Sequence, residues 1–121
     1  MVSRRILIVD DERDTCDCLE QYFRARGFAV TSVFSGEEAL ERLNQDPVDV
    51  ILLDVVLPGI SGLEVLRRVK ELKPRVRVII VTAHDLKEFR EEARHHGACG
   101  YITKPFDFSE RTWSAVLCDA P

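Results

Sequence analysis

Residues 48–63 read VDVILLDVVLPGISGL. Positions 50–53 are an uninterrupted apolar run, followed by one carboxylate, Asp54, three further apolar residues, and then Pro58 and Gly59. An apolar run of that length bounded by a turn signal predicts a strand buried on both faces, hence a parallel sheet covered by helices on each side. The acid closing the run then lies at the carboxyl end of a central strand, where open α/β sheets place their ligands.

Three other segments repeat the pattern. Residues 5–9, RILIV, form a first strand that ends on Asp10 and Asp11; residues 76–81, VRVIIV, form a fourth that delivers Thr82; residues 98–102 form a fifth that leads to Lys104-Pro105. Residues 28–33, FAVTSV, alternate apolar with small or polar side chains and end on no reactive group, as expected of an edge strand.

Between the strands the period changes to helical. Cys16, Leu19, Tyr22 and Phe23 mark a helix over 13–26 stopped by Gly27. Ser35 with Glu38, and Ser61 with Glu64, are capping boxes that open helices ended by Asp46-Pro47 and Lys73-Pro74. Ala39, Leu40 and Leu43 line the first of these helices; Leu63, Leu66, Val69 and Leu72 line the second. Asp85 and Glu88 are expected to cap a fourth helix with Leu86, Phe89 and Ala93 inward and Gly97 at its end. Asp107 and Glu110 are expected to cap a fifth, over about 107–118.

Five strands alternating with five helices through short connections predict a single α/β domain spanning 1–121, a doubly wound five-stranded parallel sheet with helices on both faces. Order 2-1-3-4-5 puts the strand without a reactive end outside the first strand and the chain reversal between strands one and three.

Composition narrows the function. The chain has 121 residues, 45% of them hydrophobic and 31% charged, enough for one core without covalent staples. A net charge of −4 argues against nonspecific nucleic-acid binding. Arg67, Arg68 and Lys70 are the only cationic cluster on one element and read as a solvated helix face. The start, MVSRRILIVDD, has an apolar run too short for a signal peptide or membrane span, so a cytoplasmic protein is expected.

The four cysteines, Cys16, Cys18, Cys99 and Cys118, form no CxxC pair and suit a reducing compartment. Cys16 and Cys18 diverge by about 200° on a helix and cannot share a metal. His95 and His96 are expected to diverge in the same way, as a solvated pair favouring the helix dipole.

Several carboxylates meeting at one sheet end repel one another unless cations are supplied. Lys104 supplies one positive charge. Hard oxygen ligands with no clustered His or Cys point to Mg²⁺ (or Mn²⁺) for the rest. A carboxylate beside a divalent cation and a lysine is placed for phosphoryl chemistry, with Asp54 as nucleophile and the Thr82 hydroxyl as donor. No GxxxxGK[ST] or GxGxxG stretch is present, so the phosphoryl donor is a small molecule or another protein.

The sequence elements ILIVDDE, LLDVVLPGISGLE, VTA and YITKPF, in that order, resemble a two-component response-regulator receiver domain over essentially the whole chain. The resemblance implies a flavodoxin-like fold in which Asp54 takes phosphate from a phosphohistidine on a sensor histidine kinase or phosphotransfer protein. It implies that Asp10, Asp11, Asp54 and the backbone carbonyl of Val56 hold Mg²⁺, that Thr82 and Lys104 contact the phosphoryl group, and that Lys104-Pro105 is cis. Tyr101 takes the aromatic switch position, coupled to Thr82. The face of helix four, strand five and helix five is then the one that controls an output partner or a C-terminal effector domain outside this chain, and it is a possible dimer surface.

Two departures from the family pattern stand out. Val56 and His84 flank the position of the water that attacks the acyl phosphate; Val56 offers that water no hydrogen bond, which implies moderately slow self-dephosphorylation. The last helix carries Arg111 and Thr112 where receivers present aliphatic side chains, and it reads as short or truncated. Trp113 is either a partner-facing anchor or partly buried under the sheet. Among the alternatives, a magnesium phosphatase passing through an aspartyl phosphate is disfavoured because Val56 stands where that family has an acid. A flavodoxin-like ligand-binding module lacks a phosphate loop after strand one.

Overall fold

The structure is a computed structural model that describes residues 4–117. Cys118 and the end of the expected last helix lie outside the described residues. The elements alternate as β1 (Arg5–Val9), α1 (Arg13–Arg24), β2 (Ala29–Val33), α2 (Gly36–Gln45), β3 (Val50–Leu53), α3 (Gly62–Leu72), β4 (Arg77–Thr82), α4 (Lys87–His95), β5 (Gly100–Thr103) and α5 (Ser114–Leu117). The five strands form one sheet in the order β2-β1-β3-β4-β5, every neighbouring pair parallel.

Strand pleating divides the apolar residues between two cores. Leu7 and Val9, Ile51 and Leu53, and Val78 and Ile80 face the layer of α2, α3 and α4, where Ala39, Leu43, Leu66, Val69 and Ala93 close over them. Ile6 and Ile8, Val50 and Leu52, and Ile79 and Val81 face α1 and α5, against Cys16, Leu19, Phe23, Trp113 and Val116. Each such side chain contributes about 1.5–3 kcal/mol on leaving water. Because β1, β3 and β4 are covered on both sides, their residues need no polar alternation, and this is why they read as continuous apolar runs.

Both expected serine N-caps form, while the Glu64 carboxylate of the second expected box is taken by Arg67 and Arg68. The Glu38 N–H donates to Ser35 Oγ at 3.2 Å, and the Glu64 N–H donates to Ser61 Oγ at 3.2 Å. Each cap satisfies an orphan donor and is worth about 1 kcal/mol. Gly62, the first residue of α3, is required by a close approach: a Cβ there would stand 1.9 Å from the Asp54 carbonyl oxygen. The Gly62 N–H donates to the Val55 carbonyl at 2.8 Å, so α3 starts directly against the backbone of the central strand end.

Other expectations are corrected. Asp85 does not cap α4: Leu86 is the cap residue, no side chain bonds to the first turn, and Asp85 pairs instead with Arg90. Leu86 and Leu72, both expected inward, are exposed: Leu86 precedes the first turn of α4, and Leu72 is the last residue of α3. Helix five starts at Ser114 rather than near Asp107. Asp107 there accepts from the Ser109 N–H at 3.0 Å and from the Thr112 hydroxyl at 2.7 Å, and residues 110–113 follow as a turn. Trp113 is fully buried, its indole N–H donating to the Asp107 carbonyl at 2.7 Å, so it is a core residue and not a surface anchor. The His95 and His96 rings do not diverge; they meet edge to face at 5.2 Å because His96 has left helical geometry. Lys70 also leaves the solvated face, donating to the Val76 carbonyl at 2.7 Å.

Candidate functional site

The parallel ladder assembles the site. Val9 pairs with Leu53, so the residues that follow, Asp10 and Asp54, leave adjacent strands together; the Asp54 N–H donates to the Val9 carbonyl at 3.0 Å. On the other side Thr82 pairs with Thr103, and the Lys104 N–H donates to the Thr82 carbonyl at 2.8 Å. Four side chains from three loops and one strand end are thereby brought to one edge of the sheet, and the Lys104–Pro105 peptide bond there is cis.

Lys104 is the centre of the cluster. Its ammonium donates to Asp10 Oδ2 at 2.7 Å, to Glu12 Oε1 at 2.7 Å and to Asp54 Oδ2 at 3.2 Å. The second oxygens of the aspartates are held by backbone: the Glu12 N–H donates to Asp10 Oδ1 at 2.9 Å and the Val56 N–H to Asp54 Oδ1 at 3.2 Å. Asp10, Asp54 and Thr82 are the buried polar side chains among the described residues. Burial raises the Asp10 carboxyl above its ordinary value, an effect that hydrogen bonds from Lys104 and the Glu12 N–H only partly offset. For Lys104 burial acts to lower the affinity for its proton, and the bonds to Asp10 and Glu12 with the charge of Asp54 outweigh it, so the ammonium is held.

Asp10, Glu12 and Asp54 carry oxygen atoms that all lie within 4.8 Å of one another. An all-oxygen set of this kind suits a hard divalent cation. Asp11 is not in that group and its side chain is exposed. Glu12 was not singled out from the sequence, where an acid at the start of a helix reads as an ordinary dipole-favouring residue. The signal available was its position directly after two other acids and before the helix, which sets it on the same loop as the pocket.

The rest of the expected site lies on the β4–α4 side. The Thr82 hydroxyl is fully buried and accepts from the His84 N–H at 3.3 Å. The His84 carbonyl in turn accepts from the Tyr101 hydroxyl at 2.5 Å. Arg90 lies over the Tyr101 ring at 4.6 Å, donates to Thr103 Oγ1 at 3.2 Å, and pairs with Asp85. Burial raises the Tyr101 phenol above its ordinary value, against the opposing charge of Arg90. Thr82, His84 and Tyr101 thus form one connected chain of hydrogen bonds from the sheet edge to the outer face of β5. Val56 is half exposed beside the pocket, and the His84 side chain is exposed.

Comparison with known proteins agrees with this geometry. The family described as the response regulator receiver domain matches residues 6–113, and the chain belongs to that family. The chain is 34% identical over 110 residues to sporulation initiation phosphotransferase F of Bacillus subtilis, covering 91% of this chain and 89% of that protein. It is 38% identical over 110 residues to an uncharacterized transcriptional regulatory protein, YkoG, of the same organism, covering 91% of this chain and 48% of that one. It therefore spans most of the first relative and about half of the second. Among solved structures, a CheY-like response regulator receiver domain protein from Methanospirillum hungatei superposes with a TM-score of 0.89 at 28% identity, covering 96% of this chain and 91% of that one. The domain is a receiver of the two-component type, and the phosphatase and flavodoxin-like ligand-binding alternatives are not favoured.

Proposed function

We propose that the domain accepts a phosphoryl group on Asp54 from a phosphohistidine of a sensor histidine kinase or phosphotransfer protein. A carboxylate oxygen of Asp54 attacks phosphorus, the phosphorus–nitrogen bond breaks, and the imidazole leaves with the bond's electron pair, giving an aspartyl phosphate. A carboxylate nucleophile has no proton to surrender in this step and requires no general base. The observation that carries this reading is the single ammonium of Lys104 shared by Asp54 and Asp10 in a buried pocket. Such an arrangement opposes the charge that develops on a transferring phosphoryl group.

Lys104 and Thr82 are assigned to the phosphoryl oxygens, and Asp10, Asp11, Asp54 and the Val56 carbonyl to a divalent cation, Mg²⁺ or Mn²⁺. The cation, when bound, supplies positive charge against the phosphoryl oxygens. Glu12, whose carboxylate belongs to the same oxygen cluster, is an additional candidate ligand. The bond from the Thr82 hydroxyl to the β4–α4 loop and from that loop to Tyr101 supports a switch, in which a shift of Thr82 toward phosphate alters the hold on Tyr101 and so the α4–β5–α5 face. That face carries a groove of about 420 Å³ lined by Lys87, Arg90, Arg94, Cys99 and Tyr101 among others, and it is assigned to an output partner, an effector domain or a second copy.

Among the described residues no helix is long and apolar enough to cross a membrane, and Cys16, Cys18 and Cys99 are free thiols, in keeping with a cytoplasmic location. The domain is assigned a signalling role, with self-dephosphorylation as its only hydrolytic activity.

Intact-mass analysis after incubation with acetyl phosphate and Mg²⁺ tests the reading. One added phosphoryl group is expected, absent without metal and absent in Asp54→Asn; phosphorylation of that variant to the same extent would refute it. Slow self-dephosphorylation follows from the apolar, half-exposed Val56 beside the acceptor. Val56→Asn, which offers water a hydrogen-bonding side chain, is expected to shorten the phosphoryl lifetime severalfold. A lifetime of seconds in the parent, unchanged in the variant, would contradict this.

A further inference from the structure

We infer that Glu37 of α2 is a positioning residue for the cation site: its carboxylate fixes the tip of the β3–α3 loop, and so the place of Val56, whose carbonyl is assigned to the cation. The inference rests on that assignment. It adds a residue from a helix that supplies no ligand itself.

Residues 54–62 leave the central strand and come back against it. Close to the strand their path is set by short bonds: the Val56 N–H donates to Asp54 Oδ1 at 3.2 Å, and the Gly62 N–H donates to the Val55 carbonyl at 2.8 Å. Beyond Val56 that support stops. Among the described residues no backbone–backbone hydrogen bond reaches 57–59, and Pro58 has no N–H to give.

The start of α2 takes over there. Glu37 Oε2 accepts from the Ile60 N–H at 3.2 Å. Gly59, beside it, has φ +78°, and a Cβ at that position would stand 2.5 and 2.7 Å from the two Glu37 carboxylate oxygens. The carboxylate therefore fills the space that a side chain at position 59 would need. A Cβ on Gly36 would likewise stand 2.7 Å from Ile60 Cγ1, so the Ile60 side chain lies against the bare first residue of the helix. Consecutive residues of α2 thus grip both the backbone and the side chain of Ile60. Leu57 and Ile60 also pack on the core, which keeps the loop folded without Glu37. What Glu37 adds is a fixed tip for a turn with no bonds of its own. A carbonyl ligand held in place beforehand has less freedom to lose when a cation arrives.

Binding of Mn²⁺ to the full chain, read from the paramagnetic resonance signal of the free ion, tests this. Glu37→Ala is expected to weaken binding about fivefold, the scale of one net hydrogen bond, while Glu37→Gln, which keeps an acceptor oxygen and loses the charge, stays within about twofold of the parent. The Mg²⁺ concentration giving half-maximal phosphorylation by acetyl phosphate should rise in Glu37→Ala by the same factor, and saturating Mg²⁺ should restore the parent rate. The thermal unfolding midpoint should change little. Equal Mn²⁺ affinity in parent and Glu37→Ala would overturn the role of Glu37 alone. Equal weakening in the Ala and Gln variants would overturn it too, by assigning the effect to charge instead of to the bond. A parent chain that binds no Mn²⁺ would overturn the cation assignment, and the inference with it.

Discussion

Around Lys104 three carboxylates lie 2.7–3.2 Å from one ammonium whose side chain is 10% exposed. Along α3, Arg67 and Arg68 meet Glu64 and Glu71 at 2.6–2.8 Å, with side chains 32–62% exposed. The contact distances nearly coincide, yet the charges behave in opposite ways. In the pocket, burial raises the Asp10 carboxyl despite its partner. On the helix, hydrogen bonds from Arg67 and then Arg68 bring the Glu64 carboxyl down to about 2. Desolvation is the difference. An ion pair in water is a mild convenience; one held in a closed sheet edge stores unfavourable charge that a ligand can relieve.

The largest expected effect comes from breaking the buried cluster. Lys104→Met leaves Asp10 and Asp54 without their cation, and a loss on the order of 3 kcal/mol is expected at pH 7 in denaturant titrations. The deficit should shrink as pH falls and the stranded Asp10 carboxyl, already raised by burial, takes up a proton. A stability equal to the parent's at pH 7 would show that the lysine is not holding charge there.

A smaller effect, of opposite sign in the two clusters, concerns pH. The Asp10 carboxyl is raised above its ordinary 3.8, so the folded chain binds the proton more tightly than the unfolded one. Stability contributed by this group therefore falls as pH rises from about 4 through the raised value and is level beyond it. Asp10→Asn should remove that fall. Glu64 is lowered from 4.5 to about 2, so its contribution is present above about pH 4.5 and is lost as pH drops toward 2. Glu64→Gln should remove that acid-side loss. Parallel slopes for the two variants, measured by thermal unfolding between pH 2 and about 6, would contradict the contrast.

The smallest effect is salt. At neutral pH Glu64→Gln should shift the unfolding midpoint only slightly, and that shift should vanish in about 1 M salt, where screening acts within about 3 Å. The Lys104→Met deficit should largely survive the same salt, because the pocket excludes it.

Legibility in the sequence followed the same division. Strand ends were readable because the apolar runs of β1, β3 and β4 each stop at a polar residue, and register then brings Asp10, Asp54, Thr82 and Lys104 to one edge. Ser35 and Ser61 were readable because a serine N-cap is satisfied within four residues. Asp85 looked equally like a cap, but Arg90, five residues on, takes its carboxylate. That choice depends on Arg90 also reaching Thr103 and Tyr101 across the fold, which no local pattern reveals. Asp107 likewise turned inward on Ser109 and Thr112, and the burial of Trp113 against Phe23 and Phe106 set where α5 could begin. Glu12 was hidden for a related reason: its importance lies in a lysine 92 positions away.

The central claim, that the enclosed carboxylate facing Lys104 is the one that takes phosphate, is tested most directly by trapping the acyl phosphate. Chain treated with acetyl phosphate and Mg²⁺, then reduced with borohydride and mapped by peptide mass spectrometry, should carry homoserine at position 54 alone. Homoserine at position 10 or 11 with an intact Asp54, or no reduced residue in a chain whose mass shows phosphate, would contradict it.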